Sequence, residues 1–378
     1  MCGIAGMLRL AADGPALDRA ELARISAALA RRGPDGEKAW ASAHGRALLA
    51  HRRLAILDPT PRADQPMLSA DGRHALILNG EIYDFREHRQ RLVADGVPLR
   101  TTGDAEVLLE LLAREGPAVL SSLRGMYAFA LWDESRGELL LGRDPYGIKP
   151  LYYATTGGVL RFASQVRALE AGGGVPLEVD REAVAGFLAW GAIPEPRTLR
   201  AAIRALPAGH LLRATADGPV RVEPLPFRPP EREPRPVEAG LEECVRDHLV
   251  SDVPVALFLS AGLDSALVAA LARRHLPEPP TALTLTFAEA RGTARDEEAG
   301  ARAIAAALGL PHGVREVAGG EVRELLPEIV GAMDQPSIDG VNTWFVSKAA
   351  AEAGLKVALS GLGGDELLGG YPSFRDVP

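Results

Sequence analysis

A short run of serine, glycine and aspartate in the middle of the chain has the residue types that bind phosphate. It follows residues 253–259, an apolar run whose Val, Leu and Phe content predicts a buried parallel strand, and it precedes a predicted helix. A turn at a helix N-terminus offers backbone N–H groups and a positive dipole end to an anion. Ser260 and Ser265 can donate hydrogen bonds to phosphate oxygens, and Gly262 permits close backbone approach. Asp264 fits such a site when it holds a divalent cation that bridges to the phosphates. The alternative without a ligand is a loop that only caps the helix.

A second candidate for chemistry is Cys2, which directly follows the initiator methionine. Removal of Met1 leaves Cys2 with a free α-amine, whose pKa of about 7.7–8.0 makes a fraction of it a base at neutral pH. Thiol and base then lie on one residue, as in N-terminal nucleophile enzymes. Taken alone, Cys2 is better explained as an incidental small apolar residue.

Two further features of the first half, the Asn79-Gly80 pair and Asp104, have two interpretations each. Asn79-Gly80 ends an apolar strand and is typical of a hairpin turn, but an amide beside a glycine N–H also suits an oxyanion hole. Asp104 precedes a Leu-rich helix, where it either caps the helix or binds an ammonium group.

Composition narrows the class of protein. A chain of 378 residues predicts two or three domains. The net charge of −8, without any basic block, argues against a nucleic-acid partner, and the apolar runs are too short to span a membrane. Two cysteines make no disulfide framework and no signal peptide is evident, so we expect a cytoplasmic location.

The second half alternates predicted strands and helices, which indicates an α/β domain with a parallel sheet. Ser260, Thr286 and Ser360 fall at the carboxyl ends of predicted strands, where ligands of such sheets bind. The glycine-rich stretch from Ser360 to Tyr371 predicts a tight turn against a phosphate, with Asp365 as a second metal contact.

Seven ordered segments of the first half resemble the class II glutamine amidotransferase domain. They are M-C-G-I-A-G, R-G-P-D-G, H-R-R-L-A-I-L-D, N-G-E-I-Y, T-G-D-A-E-V, G-M-Y-A-F-A-L-W-D and R-D-P-Y-G-I-K-P-L-Y-Y. The resemblance implies an αββα Ntn-hydrolase sandwich, with Cys2 as the nucleophile and Asn79 and Gly80 as the oxyanion hole. It also implies that Arg53 binds the α-carboxylate of glutamine and Asp104 its α-amine, with Asn79 and Glu81 nearby.

The second half resembles the N-type ATP pyrophosphatases, whose phosphate loop is S-G-G-x-D-S, although Ala261 replaces the second residue. The segment from Ser360 to Tyr371 is similar to S-G-x-G-x-D-E-x-x-G-G-Y of asparagine synthetases, and nearly the whole chain matches that family. The resemblance implies an adenine-nucleotide-hydrolase-like sheet domain that binds ATP and Mg²⁺. The implied ATP-binding residues are Phe258, Ser260, Gly262, Asp264, Ser265, Leu285, Ser360 and Gly361, with Asp264 and Asp365 at the metal.

This reading divides the chain into a glutaminase domain over 1–212, a Pro-rich linker over 213–236 and a synthetase domain over 237–378. The linker is predicted from its prolines, at positions 224, 226, 229, 230, 234 and 236. The family usually continues beyond the position of Pro378, so we expect a C-terminally incomplete synthetase. The expected substrates are glutamine, ATP and aspartate, and a homodimer is possible in this family.

Leu362 leaves the acceptor open, because asparagine synthetases commonly have Glu at this position, where the β-aspartyl-adenylate forms. Another carboxylate therefore stays an alternative to aspartate. A glutaminase domain joined to an inactive synthetase partner is a further alternative. A cyclising tailoring enzyme is disfavoured, because Cys2 and its partners are present.

Overall fold

The chain folds as two units, each with its own hydrophobic core. The computed structural model describes residues 1–11, 13–215, 218–226, 235–293, 295–371 and 373–376. The first unit comprises Met1–Glu231 together with Asp334–Ser337, and the second comprises Arg232–Met333 together with Ile338–Pro378.

The first unit is built mainly from antiparallel strands. Its strands are β1 (Gly3–Arg9), β2 (Gly36–Ala41), β3 (Ala47–Arg53), β4 (Met67–Leu68), β5 (His74–Ile82), β6 (Gly125–Asp133), β7 (Glu138–Arg143), β8 (Tyr152–Thr156), β9 (Val159–Ala163), β10 (Arg204–Ala205), β11 (His210–Thr215) and β12 (Arg221–Pro224). Its helices are α1 (Arg19–Ala28), α2 (Phe85–Ala94), α3 (Asp104–Glu115), α4 (Val166–Gly172) and α5 (Arg181–Trp190), with short 3₁₀ turns at Pro61–Ala63 and Gly116–Ser121.

Two six-stranded sheets form the centre of this unit, in the orders β10-β8-β9-β1-β3-β2 and β12-β11-β7-β6-β5-β4. One core cluster contains side chains of both sheets, including Phe162 and Leu49 of the first and Ile77 and Trp132 of the second, so the sheets pack face to face. A second cluster packs α1 and α4 on the outer face of the first sheet, while α3 contacts β5 of the other. The predicted αββα sandwich is confirmed.

The second unit has a four-stranded parallel sheet in the order β15-β14-β13-β16. Its elements are α6 (Val237–His248), β13 (Val255–Phe258), α7 (Leu263–His275), β14 (Ala282–Phe287), a 3₁₀ turn (Ala288–Ala290), α8 (Glu298–Leu308), β15 (His312–Val317), α9 (Gly319–Ala332), α10 (Gly340–Glu352), β16 (Val357–Leu359), α11 (Gly364–Leu368) and α12 (Ser373–Asp376). The predicted α/β domain with a parallel sheet is confirmed. Because β13, β14 and β16 are parallel, their carboxyl ends lie at one edge and bring the turns that follow them together.

In two places the structure excludes one of the alternatives that the sequence left open. Asn79 and Gly80 lie inside β5, paired with Ala128 and Tyr127 of β6, and do not form a hairpin turn. Asp104 is the first residue of α3, and the N-cap is Gly103.

The predicted linker over 213–236 begins inside β11 and contains all of β12. These strands pair with each other, and β11 also pairs with β7, so ladder hydrogen bonds override the loop-like composition there. Pro224 ends β12, where a missing N–H costs little at an edge strand. Pro229, Pro230 and Pro234 of the predicted linker lie outside the described residues.

Within the described ranges, no helix is both long and apolar enough to cross a bilayer.

Candidate functional site

The Cys2 side chain lies just before β1, beside the end of β3. Its Sγ accepts a hydrogen bond from the Leu54 N–H at 3.4 Å and lies 3.7 Å from the Leu54 carbonyl oxygen. Burial raises the pKa of the Cys2 thiol, against the opposing effects of the Leu54 backbone contact and the amino terminus. The amino group on Met1 is itself buried, and this desolvation lowers its pKa to about 6. This value belongs to the Met1 amine, whereas the predicted base is the α-amine that removal of Met1 leaves on Cys2.

Asn79 and Gly80 lie near the end of β5, next to a contact between the two sheets. His51 of β3 approaches the carbonyl of Leu78 with its Nε2 at 3.2 Å, and burial lowers the pKa of His51 to about 4, so the ring is neutral. In the described structure, neither Nδ2 nor Oδ1 of Asn79 has a hydrogen-bond partner, although the residue is fully buried. A buried amide without a partner costs free energy unless a ligand satisfies it. At Gly80 a Cβ atom would lie 2.3 Å from the Met126 carbonyl oxygen, so only glycine fits.

Two carboxylates face this region from β5 and α3. The Ile82 N–H donates to Asp104 Oδ2 at 2.9 Å, which fixes Asp104 beside the strand end. Burial raises the pKa of Asp104 to about 6, and burial together with Asp104 raises the pKa of Glu81 to about 7. Both groups therefore have a charged form that a bound cation would stabilise.

Arg53 lies at the end of β3, and its guanidinium holds the loop that follows. Nη1 donates to the Thr60 carbonyl at 2.8 Å and to Asp64 at 2.7 Å, and Nη2 donates to the carbonyls of Leu57 and Asp58. Both terminal nitrogens thus already have acceptors within the chain. The predicted role of Arg53 in binding a substrate carboxylate stays a prediction, with Asp64 as a competitor for the same Nη1.

Sequence reasoning assigned no role to two cations of this site. Arg32 donates from Nε to the Cys2 carbonyl at 2.9 Å, and its Nη2 has no partner in the described part of the chain. Lys149 is buried and interacts electrostatically with both Cys2 and Glu81. Arg32 and Lys149 each belong to a segment that resembles the amidotransferase domain, and this resemblance was the only signal that could have indicated them. Neither the spacing nor the composition of the sequence places either residue beside Cys2.

In the second unit the Ser260 turn is held by hydroxyl groups. Ser265 Oγ accepts from the Ser260 N–H at 3.1 Å and lies 2.9 Å from Ser260 Oγ, which in turn accepts from the Gly262 N–H at 3.1 Å. Helix α7 begins at Leu263, so the turn lies at its N-terminus as predicted. Among the described residues only Asp58 combines a side chain larger than glycine with positive φ, so Ala261 is accommodated without backbone strain.

The glycine-rich turn after β16 packs directly on the Ser260 turn. A Cβ at Gly361 would lie 2.8 Å from the Ser265 backbone nitrogen, and one at Gly364 would lie 2.2 Å from Asp264 Oδ2. These glycines therefore permit a backbone approach that any side chain would prevent. The two turns predicted to bracket a phosphate chain are adjacent in the structure.

A cavity of about 1000 Å³ opens over these turns, large enough for a nucleotide. All the predicted nucleotide residues line it, as does the predicted adenylate position: Phe258, Ser260, Gly262, Asp264, Ser265, Leu285, Ser360, Gly361, Leu362 and Asp365. Sequence reasoning missed Arg295, Asn342 and Thr343, which also line it. Arg295 supplies a cation near the turns, where the sequence predicted none. Asn342 and Thr343 belong to the polar first turn of α10, and this polarity was the sequence feature that could have indicated them.

The predicted metal ligands are Asp264 and Asp365. The described residues contain no cluster of three or more metal-ligating side chains. Two carboxylates nevertheless fit Mg²⁺, which usually takes one or two carboxylates and completes its shell with phosphate oxygens and waters. The space beside Asp264 Oδ2 that a Cβ at Gly364 would fill is consistent with this role.

Comparison with known families agrees with this geometry. Residues 1–223 match the model of the glutamine amidotransferase domain, and residues 236–378 match that of asparagine synthase. The chain belongs to the glutamine amidotransferase family. The predicted resemblance to glutamine-hydrolysing asparagine synthetases is likewise confirmed.

Similar curated proteins cover the whole of this chain. They include a putative glutamine-hydrolyzing asparagine synthetase of Mycobacterium tuberculosis, 36% identical over 100% of this chain and 61% of its own length. Asparagine synthetase 1 of Bacillus subtilis is 33% identical over 100% of this chain and 60% of its own length. Asparagine synthetase B of Escherichia coli is 30% identical over 100% of this chain and 66% of its own length. The chain thus spans about three fifths to two thirds of the length of these relatives.

Solved structures are more distant. Glutamine phosphoribosylpyrophosphate amidotransferase from B. subtilis, complexed with ADP and GMP, is 16% identical with a TM-score of 0.45 and covers 90% of this chain and 73% of its own.

The buried carboxylates predict a pH dependence of glutamine binding. With pKa values of about 7 for Glu81 and about 6 for Asp104, both groups take up protons as the pH falls from 8 to 6. An ammonium group binds the ionised forms, so the KM for glutamine should rise about tenfold over this interval. Glu81→Gln should raise KM at pH 8 and flatten the dependence, whereas Glu87→Gln, at an exposed position, should follow the parent. A parent KM that stays constant from pH 6 to 8 contradicts this assignment.

Close packing predicts the effect of a methyl group in the second unit. Gly361→Ala places its Cβ against the backbone of Ser265, and overpacking of this kind costs about 1–3 kcal/mol. We expect the Kd for ATP, measured by calorimetry, to rise about tenfold or more, while glutamine hydrolysis stays unchanged. The matched control is Gly320→Ala on α9, where nothing lies within 4 Å of the new Cβ. Equal ATP affinity of the two variants would show that the nucleotide does not use these turns.

Proposed function

We propose that the chain catalyses ATP-dependent amide formation with glutamine as the nitrogen donor. The first unit releases ammonia from glutamine, and the second unit activates a carboxylate with ATP and joins it to that ammonia. The observation that carries the proposal is the cluster in the first unit: a thiol, an amide without a partner among the described residues, one buried carboxylate and one half-buried carboxylate.

In the first half-reaction the α-amine that removal of Met1 leaves on Cys2 takes the thiol proton, and the resulting thiolate attacks the side-chain amide carbon of glutamine. The Asn79 amide and the Gly80 N–H stabilise the oxyanion, and a donor of this kind is worth about 10²–10³ in rate. The C–N bond then breaks, the amino terminus supplies the proton to the leaving ammonia, and a thioester stays on Cys2. Water hydrolyses the thioester and releases glutamate.

The charged ends of glutamine fix its orientation. Asp104 and Glu81 receive the α-ammonium group, which stabilises their ionised forms. Arg53 receives the α-carboxylate, either through Nε or by exchange with Asp64 at Nη1, which now lies 2.7 Å from Asp64. The exchange is feasible because Asp64 also pairs with Lys38 at 3.0 Å and keeps one cation.

In the second half-reaction the two turns of the second unit hold the triphosphate. Serine hydroxyls and backbone N–H groups of the Ser260 turn bind the phosphates that leave as pyrophosphate, and Ser360 and Gly361 face the adenylate. Bound Mg²⁺, held by Asp264 and Asp365, would neutralise phosphate charge, to which Arg295 adds. The acceptor carboxylate attacks the α-phosphorus, pyrophosphate leaves, and ammonia displaces AMP from the acyl-adenylate.

L-Aspartate is the acceptor we propose first, because the similar proteins from M. tuberculosis, B. subtilis and E. coli are named asparagine synthetases. Leu362 favours a second candidate, another carboxylate. Its side chain is 87% exposed on the cavity wall, and an apolar group there can neither ionise nor accept a hydrogen bond. A glutaminase joined to an inactive synthetase partner is the third candidate. Cytoplasmic location and a homodimer stay predictions.

Replacement of the nucleophile tests the first half-reaction. Cys2→Ala should abolish the release of glutamate from glutamine. It should leave ATP binding intact, because Cys2 lies in the first unit and the predicted ATP-binding residues lie in the second. Cys244→Ala, at the other cysteine of the chain, is the matched control and should behave as the parent. Glutamine hydrolysis that survives Cys2→Ala contradicts the proposal.

Exchange of labelled pyrophosphate into ATP identifies the acceptor. Exchange that depends on L-aspartate supports asparagine synthesis with Leu362 in place. Exchange with a different carboxylic acid keeps the mechanism and changes the acceptor, in agreement with the second candidate. Absence of exchange with every acid, in a chain extended past Pro378 that binds ATP and hydrolyses glutamine, leaves the third candidate.

A further inference from the structure

Asp58 connects two segments of the candidate glutamine site. It lies in the loop after β3, five positions beyond Arg53, and is only 6% exposed. Its carbonyl oxygen accepts a hydrogen bond from Nη2 of Arg53. Its carboxylate reaches the turn before α3, where Oδ2 accepts from the Thr102 N–H at 2.8 Å. The main chain and the side chain of one residue therefore join Arg53 to the turn that leads to Asp104.

The turn before α3 is fixed from two sides. Thr101 donates its N–H and its hydroxyl to Glu106 Oε2 at 2.7 and 2.8 Å, which is a contact within the same segment. Asp58 supplies a contact from a segment 44 positions away in the chain. Asp104 is the first residue of α3 and lies two positions after Thr102, so the contact with Asp58 fixes the main chain that carries the Asp104 carboxylate.

The conformation of Asp58 suits this double role. Its φ of 44° lies in the left-handed region, which glycine, asparagine and aspartate enter most readily. In this conformation Oδ1 accepts from the hydroxyl and the N–H of Thr60 at 2.6 and 3.3 Å. One carboxylate oxygen thus holds the loop that contains Asp58, and the other holds the turn before α3. Among side chains of this length, only a carboxylate offers two acceptor oxygens.

We propose that Asp58 is a positioning residue that sets the separation of Arg53 and Asp104, the groups proposed to bind the two charged ends of glutamine. This inference depends on the proposed glutaminase function and deepens it. Glutamine has its carboxylate and its ammonium group on one carbon atom, so both ends are held only when the two binding groups lie at a matching distance. Asp58 itself forms no bond to glutamine in this account.

Two variants separate the carboxylate from the backbone conformation. Asp58→Gly removes both acceptor oxygens and suits a positive φ, whereas Asp58→Asn keeps the shape with one acceptor oxygen. Asp71→Asn, in the turn before β5, is the matched control. The Asp71 carboxylate likewise accepts from a hydroxyl, that of Ser69 at 2.7 Å, and from a backbone N–H, that of Arg73 at 3.1 Å. Circular dichroism verifies that each protein is folded.

The measurements are kcat and KM for hydrolysis of L-glutamine, together with the inhibition constants of two analogues that each lack one charged end. Glutaramate lacks the α-ammonium group, and 4-aminobutanamide lacks the α-carboxylate. Both analogues keep the side-chain amide. Because each analogue engages only one of the two binding groups, its affinity reports on that group and not on the separation between them.

For Asp58→Gly we expect the KM for glutamine to rise about tenfold, while kcat stays within about twofold of the parent, because ground state and transition state lose the same binding. The inhibition constants of both analogues should change by less than about threefold, since a ligand with one charged end needs no fixed separation. Asp58→Asn should lie between Asp58→Gly and the parent, and Asp71→Asn should match the parent.

An unchanged KM for glutamine in folded Asp58→Gly protein overturns the inference. An equal loss of binding for glutamine and both analogues also overturns it, because Asp58 would then only support the local fold. So does a loss shared by glutamine and just one analogue, which would show that Asp58 acts on one charged end.

A parent that releases no glutamate refutes the proposed function instead. Calorimetric Kd values for glutamine and the two analogues then decide the role of Asp58 by the same comparison, and a parent that binds no glutamine overturns both proposals.

Discussion

Exclusion of solvent around Cys2 is the constraint on which the chemistry of the first unit depends. Burial disfavours the charged forms of the Cys2 thiol, Asp104 and Glu81 at once. The structure counteracts this with backbone N–H groups of Leu54 and Ile82 and with nearby cations. The pKa values of Asp104 and Glu81 lie at about 6 and about 7, whereas the pKa of the Cys2 thiol stays raised, and a substrate with both an ammonium and a carboxylate would complete the charge balance.

Close backbone approach plays the corresponding part in the second unit. The turns after β13 and β16 touch because Gly361 and Gly364 have no side chain to separate them. The parallel sheet places both turns at one edge, so serine hydroxyls and backbone N–H groups of two segments converge on a single cavity. A phosphate chain is a suitable occupant, because its charge is spread over several oxygens and accepts many donors.

Much of this arrangement could be predicted from the sequence, because ordered motifs and short apolar runs are local signals. The sandwich, the parallel sheet and the residues that line the nucleotide cavity follow from such signals. For Asn79-Gly80 the hairpin-turn alternative is wrong, because pairing of β5 with β6 overrides a two-residue preference. Lys149 and Arg295 were missed because only the folded chain brings them to their sites. The hydrogen bond from Arg53 to Asp64 could not be predicted from a sequence motif either.

The central claim is that Cys2 attacks glutamine in this desolvated pocket. The most direct test is incubation of the parent chain with 6-diazo-5-oxo-L-norleucine, a glutamine analogue with an electrophilic diazoketone, followed by peptide mass spectrometry. The account predicts one covalent adduct on the peptide that contains Cys2, prevented by excess glutamine, with Cys244 unmodified even though it is the more exposed thiol. Modification of Cys244 alone, or labelling of Cys2 that glutamine does not slow, would contradict it.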